Sequence, residues 1–323
     1  MVVFPNTTAL PLFLRRPLVV SWFLLVDVFG LLGTLFYVLV VALLIKHRAT
    51  KFPNTFYILM ISMGIADIID LIVHFTFLNP AAIFKQHTLN PIYMVFWSFL
   101  WECLNNVSSA HIPFIAFNRL MAVYKPSTYE RYFSTARLSC MIGFCWGFQL
   151  MFSSFYYYCT CFVHVPSLVY SVHFEEGSCG EFMITLRTAE DAVVIFPSLA
   201  MNIATFIKVR QVGSQISQAN QIQAKRERKL ALQFGIIFVV FVLMSSAFWS
   251  VQFFTEVSPS SQELLELWLL TMFTLHSAIN PFMLVALGSD LRQLLFGKLG
   301  NLKRTTDVVT VAGSSNATAQ PQK

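Results

Sequence analysis

Apolar runs recur along nearly the whole chain, each long enough for a membrane-spanning helix. A window of about 19 residues finds seven runs, near 18–45, 54–79, 91–122, 138–163, 189–210, 229–255 and 265–288. The sixth run is the clearest because it carries no charge between Leu230 and Thr255, whereas Asp191 and Lys208 bracket the weaker fifth run. A helix needs about 20 apolar residues to cross the hydrocarbon core of a bilayer. The pattern therefore predicts an all-α membrane protein with a seven-transmembrane helix bundle.

The composition agrees with this prediction. Of the 323 residues, 56% are hydrophobic and 12% are charged, whereas soluble domains carry about 25% charged residues. A water-soluble protein is excluded by this balance, and the long continuous runs exclude a transmembrane β-barrel, whose strands alternate in polarity. The six cysteines form no CxxC pair and the seven histidines are scattered. We therefore expect neither a metal site of Cys and His ligands nor an enzyme.

The distribution of Lys and Arg predicts the orientation in the membrane. With the amino terminus outside, 18 of the 22 basic residues fall on the inner side, and the other four are Arg15, Arg16, Lys85 and Arg187. Inner loops of membrane proteins carry this excess of positive charge. Asn6 in Asn6-Thr7-Thr8 is then an exposed glycosylation site.

The predicted domain organisation follows from the spans. An extracellular amino terminus (1–17) precedes the seven-transmembrane domain (18–288), and a short amphipathic helix (289–300) and a disordered cytoplasmic tail (301–323) follow it. The amphipathic helix should lie on the inner membrane surface, with its leucines facing lipid: Leu291, Leu294, Leu295 and Leu299.

Several acidic residues fall inside the predicted spans: Asp27, Asp67, Asp70 and Glu102. An acidic residue at the membrane centre costs about 2.5–3.5 kcal/mol on insertion scales, so it normally faces the bundle interior and has a partner or a function. Either a structural or a functional role remains open for each of them.

The end of the third span resembles the DRYxxVxxP region of rhodopsin-like G-protein-coupled receptors. Asn118 stands at the acidic position and Leu120 at the tyrosine position, while Arg119, Val123 and Pro126 keep the family spacing. Further matches occur in the same order along the chain: Ala66-Asp67, Trp146, Pro197 and Asn280-Pro281. Two features depart from the family, since Leu284 replaces the tyrosine of NPxxY and the sixth span has no proline.

A narrower resemblance is to nematode serpentine chemoreceptors. The run from Phe52 to Tyr57, the run from Gly64 to Asp67, Asn118-Arg119 and a cysteine-rich second outer loop carry it. Class v is the first choice, class x the second, and class g is related. The resemblance implies a chemosensory receptor that binds an external small molecule and activates a heterotrimeric G protein. Its expected location is the plasma membrane, with the ciliary membrane of sensory neurons as one setting.

The resemblance also implies a polar core. Ser108 lies eleven residues before Arg119 on the same helix face, where it can meet Asp67. Rhodopsin-like receptors hold a sodium ion between such residues with help from a seventh-helix asparagine, here Asn280. A dry hydrogen-bonded network of Asp67, Ser108, His276 and Asn280 is the alternative, and both remain open. No other cofactor is expected.

The resemblance also implies a switch between a resting and an active state. Its expected residues are Asn118, Arg119, Leu120 and Pro126 on the side that faces the G protein, and Asn280-Pro281 in the seventh helix. Asn118 cannot form the Asp-Arg ion pair of the common motif. The contact that holds the receptor in its resting state, here called the lock, should therefore be weaker. The basic run Lys225–Lys229 either anchors the chain to anionic lipid or contacts the G protein.

The expected ligand pocket lies in the outer half of the bundle, around Trp101 and Glu102, with Phe155 and Tyr156 from the fourth span. Amine receptors of the rhodopsin-like type keep an aspartate at the position of Trp101, so the aromatic wall favours a small, mainly apolar molecule. The alternative is that these aromatic residues form the interfacial belt of any membrane protein.

A disulfide is expected inside the second outer loop, between Cys161 and Cys179, with Cys159 as the rival partner. The usual bridge to the third helix cannot form, because Met94 occupies that position.

A second class of function is a seven-helix channel or transporter for a small solute. No inverted repeat and no matching pair of helices broken by Gly or Pro is visible, so a receptor is favoured.

Overall fold

The computed structural model describes residues 17–47, 55–78, 91–158, 178–213, 218–253, 259–288 and 291–297, and these contain helices and no strand. Seven long helices in these ranges are numbered along the chain: α1 (Pro17–Lys46), α2 (Thr55–Val73), α3 (Pro91–Tyr124), α4 (Thr135–Tyr158), α5 (Ser178–Gly213), α6 (Gln218–Phe253) and α7 (Pro259–Leu287). A short helix, α8 (Leu291–Gly297), follows them. The predicted all-α fold with seven long helices is confirmed.

The helices form a ring around α3. Contacts between α1 and α2, α5 and α6, α6 and α7, and α7 and α1 build the ring, while α3 packs against α2, α4, α5 and α6. Every residue of α3 from 101 to 112 is buried. This central position explains why α3 tolerates Glu102, Asn106 and His111, because its polar side chains face other helices rather than lipid.

The outer surface of the bundle is apolar. Large side chains such as Phe29 on α1, Met151 on α4 and Phe196 on α5 are 65%, 65% and 68% exposed. By length and composition, four described helices could cross a membrane, or five if the bent pair of α7 and α8 counts as one span. Exposed apolar side chains around a partly polar interior are the arrangement expected of a protein whose solvent is lipid.

One predicted span boundary was wrong, and another helix extends beyond its predicted span. The fifth helix begins at Ser178 instead of near 189, so Arg187 lies within α5, where it is 5% exposed. A lipid-facing arginine is more costly than one that is buried with acidic partners, and the hydropathy window cannot distinguish the two. The apolar part of the sixth helix, Leu232–Ser250, lies within the predicted span, but the helix itself begins at Gln218, so the basic run Lys225–Lys229 is helical.

The surface that the leucines of α8 contact also differs from the expectation. The axes of the α7 segment Thr271–Ala286 and of α8 meet at 80°, as expected for a helix that turns away from the bundle axis. Leu291 is 1% exposed and belongs to the bundle core, with Leu294 and Leu295 packed against that core. These three leucines therefore face the bundle rather than lipid, whereas Leu299 lies outside the described residues.

Close packing between α1 and α2 depends on Gly64. A Cβ atom at this position would lie 2.9 Å from Cε2 of Tyr37 and 3.0 Å from Cγ2 of Val41. Small residues let membrane helices approach closely enough to pack without gaps. Gly64 therefore determines how near the ring of Tyr37 comes to α2.

We expect Gly64→Ala to lower the free energy of unfolding by about 1–3 kcal/mol, because the added methyl group overpacks the contact with Tyr37. Gly143→Ala is the matched control, since no atom lies within 4 Å of its added Cβ. Thermal unfolding of the two purified variants in nanodiscs would measure the difference. Equal unfolding temperatures would contradict the close packing of α1 on α2.

Candidate functional site: polar networks inside the helix bundle

Asp67 is the centre of a hydrogen-bonded network in the middle of the bundle. Its side chain is fully buried. The hydroxyl of Ser108 donates to Oδ1 at 2.5 Å, and Oδ2 accepts from the hydroxyl of Tyr37 at 2.8 Å and from Nδ2 of Asn280 at 2.7 Å. These donors come from α3, α1 and α7, so one carboxylate on α2 joins four helices.

The structure brings together three of the four residues expected in this network. Asp67, Ser108 and Asn280 meet, but neither ring nitrogen of His276 has a hydrogen-bond partner among the described residues. The His276 ring instead packs against Phe241, with ring centroids 5.5 Å apart. Sequence reasoning missed Tyr37, because a tyrosine within an apolar run carries no signal of its partner.

The same network contains oxygen atoms of the kind that coordinate a sodium ion. Oδ1 of Asn280 is buried without a hydrogen-bond partner in the described part of the chain, and the carboxylate of Asp67 receives hydrogen bonds only from neutral groups. Hard cations of this kind prefer oxygen ligands. Asp67, Ser108 and Asn280 form a direct hydrogen-bonded network, and their oxygen atoms are also of the type that such an ion prefers.

At the carboxyl-terminal end of α3, which the predicted orientation places inside, Asn118 joins three elements. Its Nδ2 donates to the hydroxyl oxygens of Thr55 and Tyr129, both at 2.9 Å, and these two hydroxyls lie 2.6 Å apart. Thr55 begins α2, and Tyr129 begins a short helical turn, Tyr129–Tyr132, in the loop between α3 and α4. The residue at the acidic position of the motif thus ties this loop to α2 and α3.

Arg119 is 2% exposed and lies on an aromatic ring. Its guanidinium carbon is 3.7 Å from the centre of the Phe56 ring on α2. A buried cation–π contact of this kind is worth about 2 kcal/mol. Phe56 could not be predicted as a partner from the motif, which pairs this arginine with an acid.

The other expected switch residues occupy separate places. Leu120 is partly buried next to Arg119, Pro126 begins the 3₁₀ turn Pro126–Thr128 after α3, and Pro281 is a buried proline inside α7 that follows Asn280. Nearby, the hydroxyl of Tyr124 donates to the Ala204 carbonyl at 3.2 Å and links α3 to α5. The switch residues therefore do not form one contact cluster.

A second buried network surrounds Arg187, in the half of the bundle that the predicted orientation places outside. Nη1 of Arg187 is 3.1 Å from Glu190 and 3.5 Å from Glu102, and Nη2 is 3.7 Å from Asp191. Asn106 accepts a hydrogen bond from Arg187 and donates to Glu102 at 3.1 Å. Glu102 is thus part of an ion cluster between α3 and α5, which the sequence did not predict because Arg187 had been placed outside the membrane.

Two further helices reach this cluster. Nε2 of Gln149 on α4 donates to Oε1 of Glu190 at 2.6 Å, and Nε1 of Trp249 on α6 donates to Oδ2 of Asp191 at 3.0 Å. We refer to Glu102, Asn106, Gln149, Arg187, Glu190, Asp191 and Trp249 as the outer ion cluster. It connects α3, α4, α5 and α6.

Trp101 lies beside the outer ion cluster in sequence but faces another helix. Its ring is 4% exposed and packs edge-on against Phe273 of α7, with centroids 5.1 Å apart. It belongs to the bundle core rather than to an interfacial belt. Phe155 and Tyr156 fall in the last turns of α4, and their side chains lie outside the described part.

Cys179, at the start of α5, is disulfide-bonded. The expected partner Cys161 and the rival Cys159 both lie outside the described residues, and so does the glycosylation site Asn6. Cys103, Cys140 and Cys145 are free thiols.

The comparisons with known proteins agree with this architecture. A search of curated proteins finds no match to the chain. The model of the family described as serpentine type 7TM GPCR chemoreceptor Srv matches residues 28–301, which include all seven long helices from the middle of α1 onward. This is a family of receptors and not of enzymes, and it agrees with the class v resemblance. The chain belongs to the Srv family of serpentine seven-transmembrane G-protein-coupled chemoreceptors.

Proposed function

We propose that the protein is a chemosensory receptor of the plasma membrane that binds an external small molecule and activates a heterotrimeric G protein. The observation that carries the proposal is the position of Arg119, which is held on Phe56 at the inner end of the central helix. The ring of Phe56 belongs to α2, so movement of α2 against α3 would release the arginine. A bistable contact of this kind is what a receptor switch requires.

A connection from the outer side to the inner side supports the proposal. The outer ion cluster includes Glu102, the central network includes Ser108, and the inner contacts include Arg119. All three residues lie on α3, within 17 residues or about 25 Å of helix. Binding at the outer cluster could therefore bias the inner contacts through one rigid element.

A sodium ion and a dry network remain alternatives for the Asp67 site. Under the proposal either one stabilises the resting arrangement, because both hold α1, α2, α3 and α7 together. A sodium ion would add dependence of resting signalling on sodium concentration, which a dry network would not.

A channel or transporter for a small solute is the alternative function. Substrate sites of such proteins are commonly built where helices are broken at the membrane midplane. The described helices instead run continuously through the midplane networks, with prolines at Pro113, Pro197 and Pro281 inside unbroken helices. This continuity favours a receptor.

We expect the amino terminus outside and the carboxyl terminus inside the cell. With Arg187 placed inside α5, only Arg15, Arg16 and Lys85 remain for the outer side against 18 basic residues inside. Epitope tags at both ends, stained with and without permeabilisation, would measure the orientation. Staining of a carboxyl-terminal tag on intact cells would contradict the receptor proposal.

We expect Arg119→Ala to reduce ligand-driven G-protein activation by about tenfold or more, within the usual range of coupling free energies. A calcium readout in cells that express a promiscuous G protein, screened against volatile and water-soluble cues, would measure it. Arg131→Ala is the matched control, because Arg131 is exposed in the same inner loop. If both variants lose the same amount of G-protein activation at equal surface expression, the total positive charge of the inner side is responsible. Arg119 would then not act as a specific switch.

Asn118→Asp should lower basal signalling. The new carboxylate could accept hydrogen bonds from Thr55 and Tyr129, which lie 2.9 Å from Nδ2 of Asn118, and would place a negative charge beside Arg119. Phe56→Leu should raise basal signalling, because it removes the ring under the guanidinium. The same calcium readout without added cue tests both, and unchanged basal signals would refute the proposed lock.

A further inference from the structure

The outer ion cluster carries more negative charge than its described cation can neutralise. Glu102, Glu190 and Asp191 surround the single guanidinium of Arg187, which leaves a formal excess of two negative charges among the described residues. All four side chains are at most 11% exposed. Uncompensated charge in such a setting is strongly unfavourable.

The contact distances show which carboxylates are least satisfied. Among the three described carboxylates, Glu190 lies nearest to Arg187, at 3.1 Å, whereas Glu102 and Asp191 lie at 3.5 and 3.7 Å. Asn106, Gln149 and Trp249 each give one donor to one of the three carboxylates. All three of these donors are neutral, so they add hydrogen bonds but no positive charge.

One further polar atom of the cluster, the side-chain oxygen of Gln149, has no hydrogen-bond donor among the described residues. Gln149 is 2% exposed, and its amide nitrogen donates to Glu190 at 2.6 Å. The oxygen of the same amide is buried and has no hydrogen-bond partner among the described residues. It belongs to the same amide group that touches Glu190, so it lies at the edge of the cluster. A group that both donates hydrogen bonds and carries positive charge would satisfy the carboxylates and this carbonyl oxygen together.

We propose that the outer ion cluster binds the protonated amino group of the ligand, so that the receptor responds to a small organic ammonium compound. This inference rests on the proposed receptor function and specifies its ligand class. An ammonium group has three donors and one charge, which fit Glu102, Asp191 and the free oxygen of Gln149. The aromatic pair Trp101 and Phe273 lies at the neighbouring face of α3 and suits the apolar part of such a ligand.

The cluster also offers a route from the ligand to the switch. Asp191 of α5 accepts a hydrogen bond from Trp249 of α6. An ammonium group that forms a hydrogen bond with Asp191 competes with Trp249 for this carboxylate. The competition weakens the contact between α5 and α6. The inner half of α6 carries the basic run Lys225–Lys229 on the cytoplasmic side, where the G protein would bind.

The expectation from the sequence was a mainly apolar ligand, because Trp101 occupies the position of the aspartate in amine receptors. That reasoning treated Glu102 as an isolated carboxylate. The structure places Glu190 and Asp191 within the same cluster, and these two acids come from the part of α5 that the hydropathy reading had assigned to its outer boundary.

The test uses the full-length receptor in nanodiscs and measures its thermal unfolding. The probes are phenethylamine, hexylamine and cyclohexylamine, each compared with the alcohol and the carboxylic acid of matching carbon skeleton. We expect at least one amine to stabilise the receptor at concentrations where its alcohol and acid do not. Glu102→Gln should raise the amine concentration for half-maximal stabilisation by about tenfold or more, and Glu190→Gln, which keeps the shape of the side chain, should act in the same direction.

Glu181→Gln is the matched control, because Glu181 is an exposed acid on the same helix. It should leave amine stabilisation unchanged. A panel in which no amine exceeds its alcohol would overturn the inference, as would acids that stabilise better than amines, since Arg187 would then be the binding group. Equal amine responses in wild type, Glu102→Gln and Glu190→Gln would also overturn it.

Signalling separates this inference from the proposed function. Amine stabilisation without any G-protein response would support the binding site and contradict the receptor proposal. A G-protein response to neutral cues, with no amine effect on unfolding, would support the receptor proposal and overturn the ammonium site.

Discussion

A buried carboxylate in a lipid-surrounded bundle must be satisfied by side chains of other helices, because hydrocarbon offers no hydrogen bonds. Asp67 meets this constraint through Tyr37, Ser108 and Asn280, and it thereby fixes α1, α2, α3 and α7 relative to one another. Gly64 lies three residues before Asp67 and lets Tyr37 approach α2 closely enough to donate. The close packing of α1 on α2 and the hydrogen bonding of the Asp67 carboxylate therefore depend on each other.

The same constraint explains the role of α3. Its polar residues occur at three levels, with Glu102 in the outer ion cluster, Ser108 in the central network and Asn118 at the inner end. At each of these three positions, α3 contacts different helices. A change at one position therefore alters how α3 packs against the helices at the other two. Under the proposed function, a response to an outer ligand needs no proline in α6, because contacts along α3 already connect the two sides.

The sequence predicts the fold well because lipid imposes a simple pattern of long apolar runs. It also predicts that Asp67, Ser108 and Asn280 lie together, since helix periodicity and motif spacing place them on facing surfaces. Tyr37 and Phe56 could not be found this way, because their partners depend on how neighbouring helices rotate and pack. Arg187 was misplaced for a related reason: a charge lowers the hydropathy of its window even when acids on α3 and α5 neutralise it.

The central claim is that the networks along α3 control a heterotrimeric G protein. Guanine-nucleotide exchange on a panel of purified heterotrimers, with the receptor in nanodiscs, tests it most directly. We predict faster exchange than with empty nanodiscs for at least one heterotrimer, and an altered rate for Asp67→Asn, which keeps the side-chain shape but removes the charge that Tyr37, Ser108 and Asn280 satisfy. Folded receptor that leaves exchange at the rate of empty nanodiscs for every heterotrimer would contradict the account.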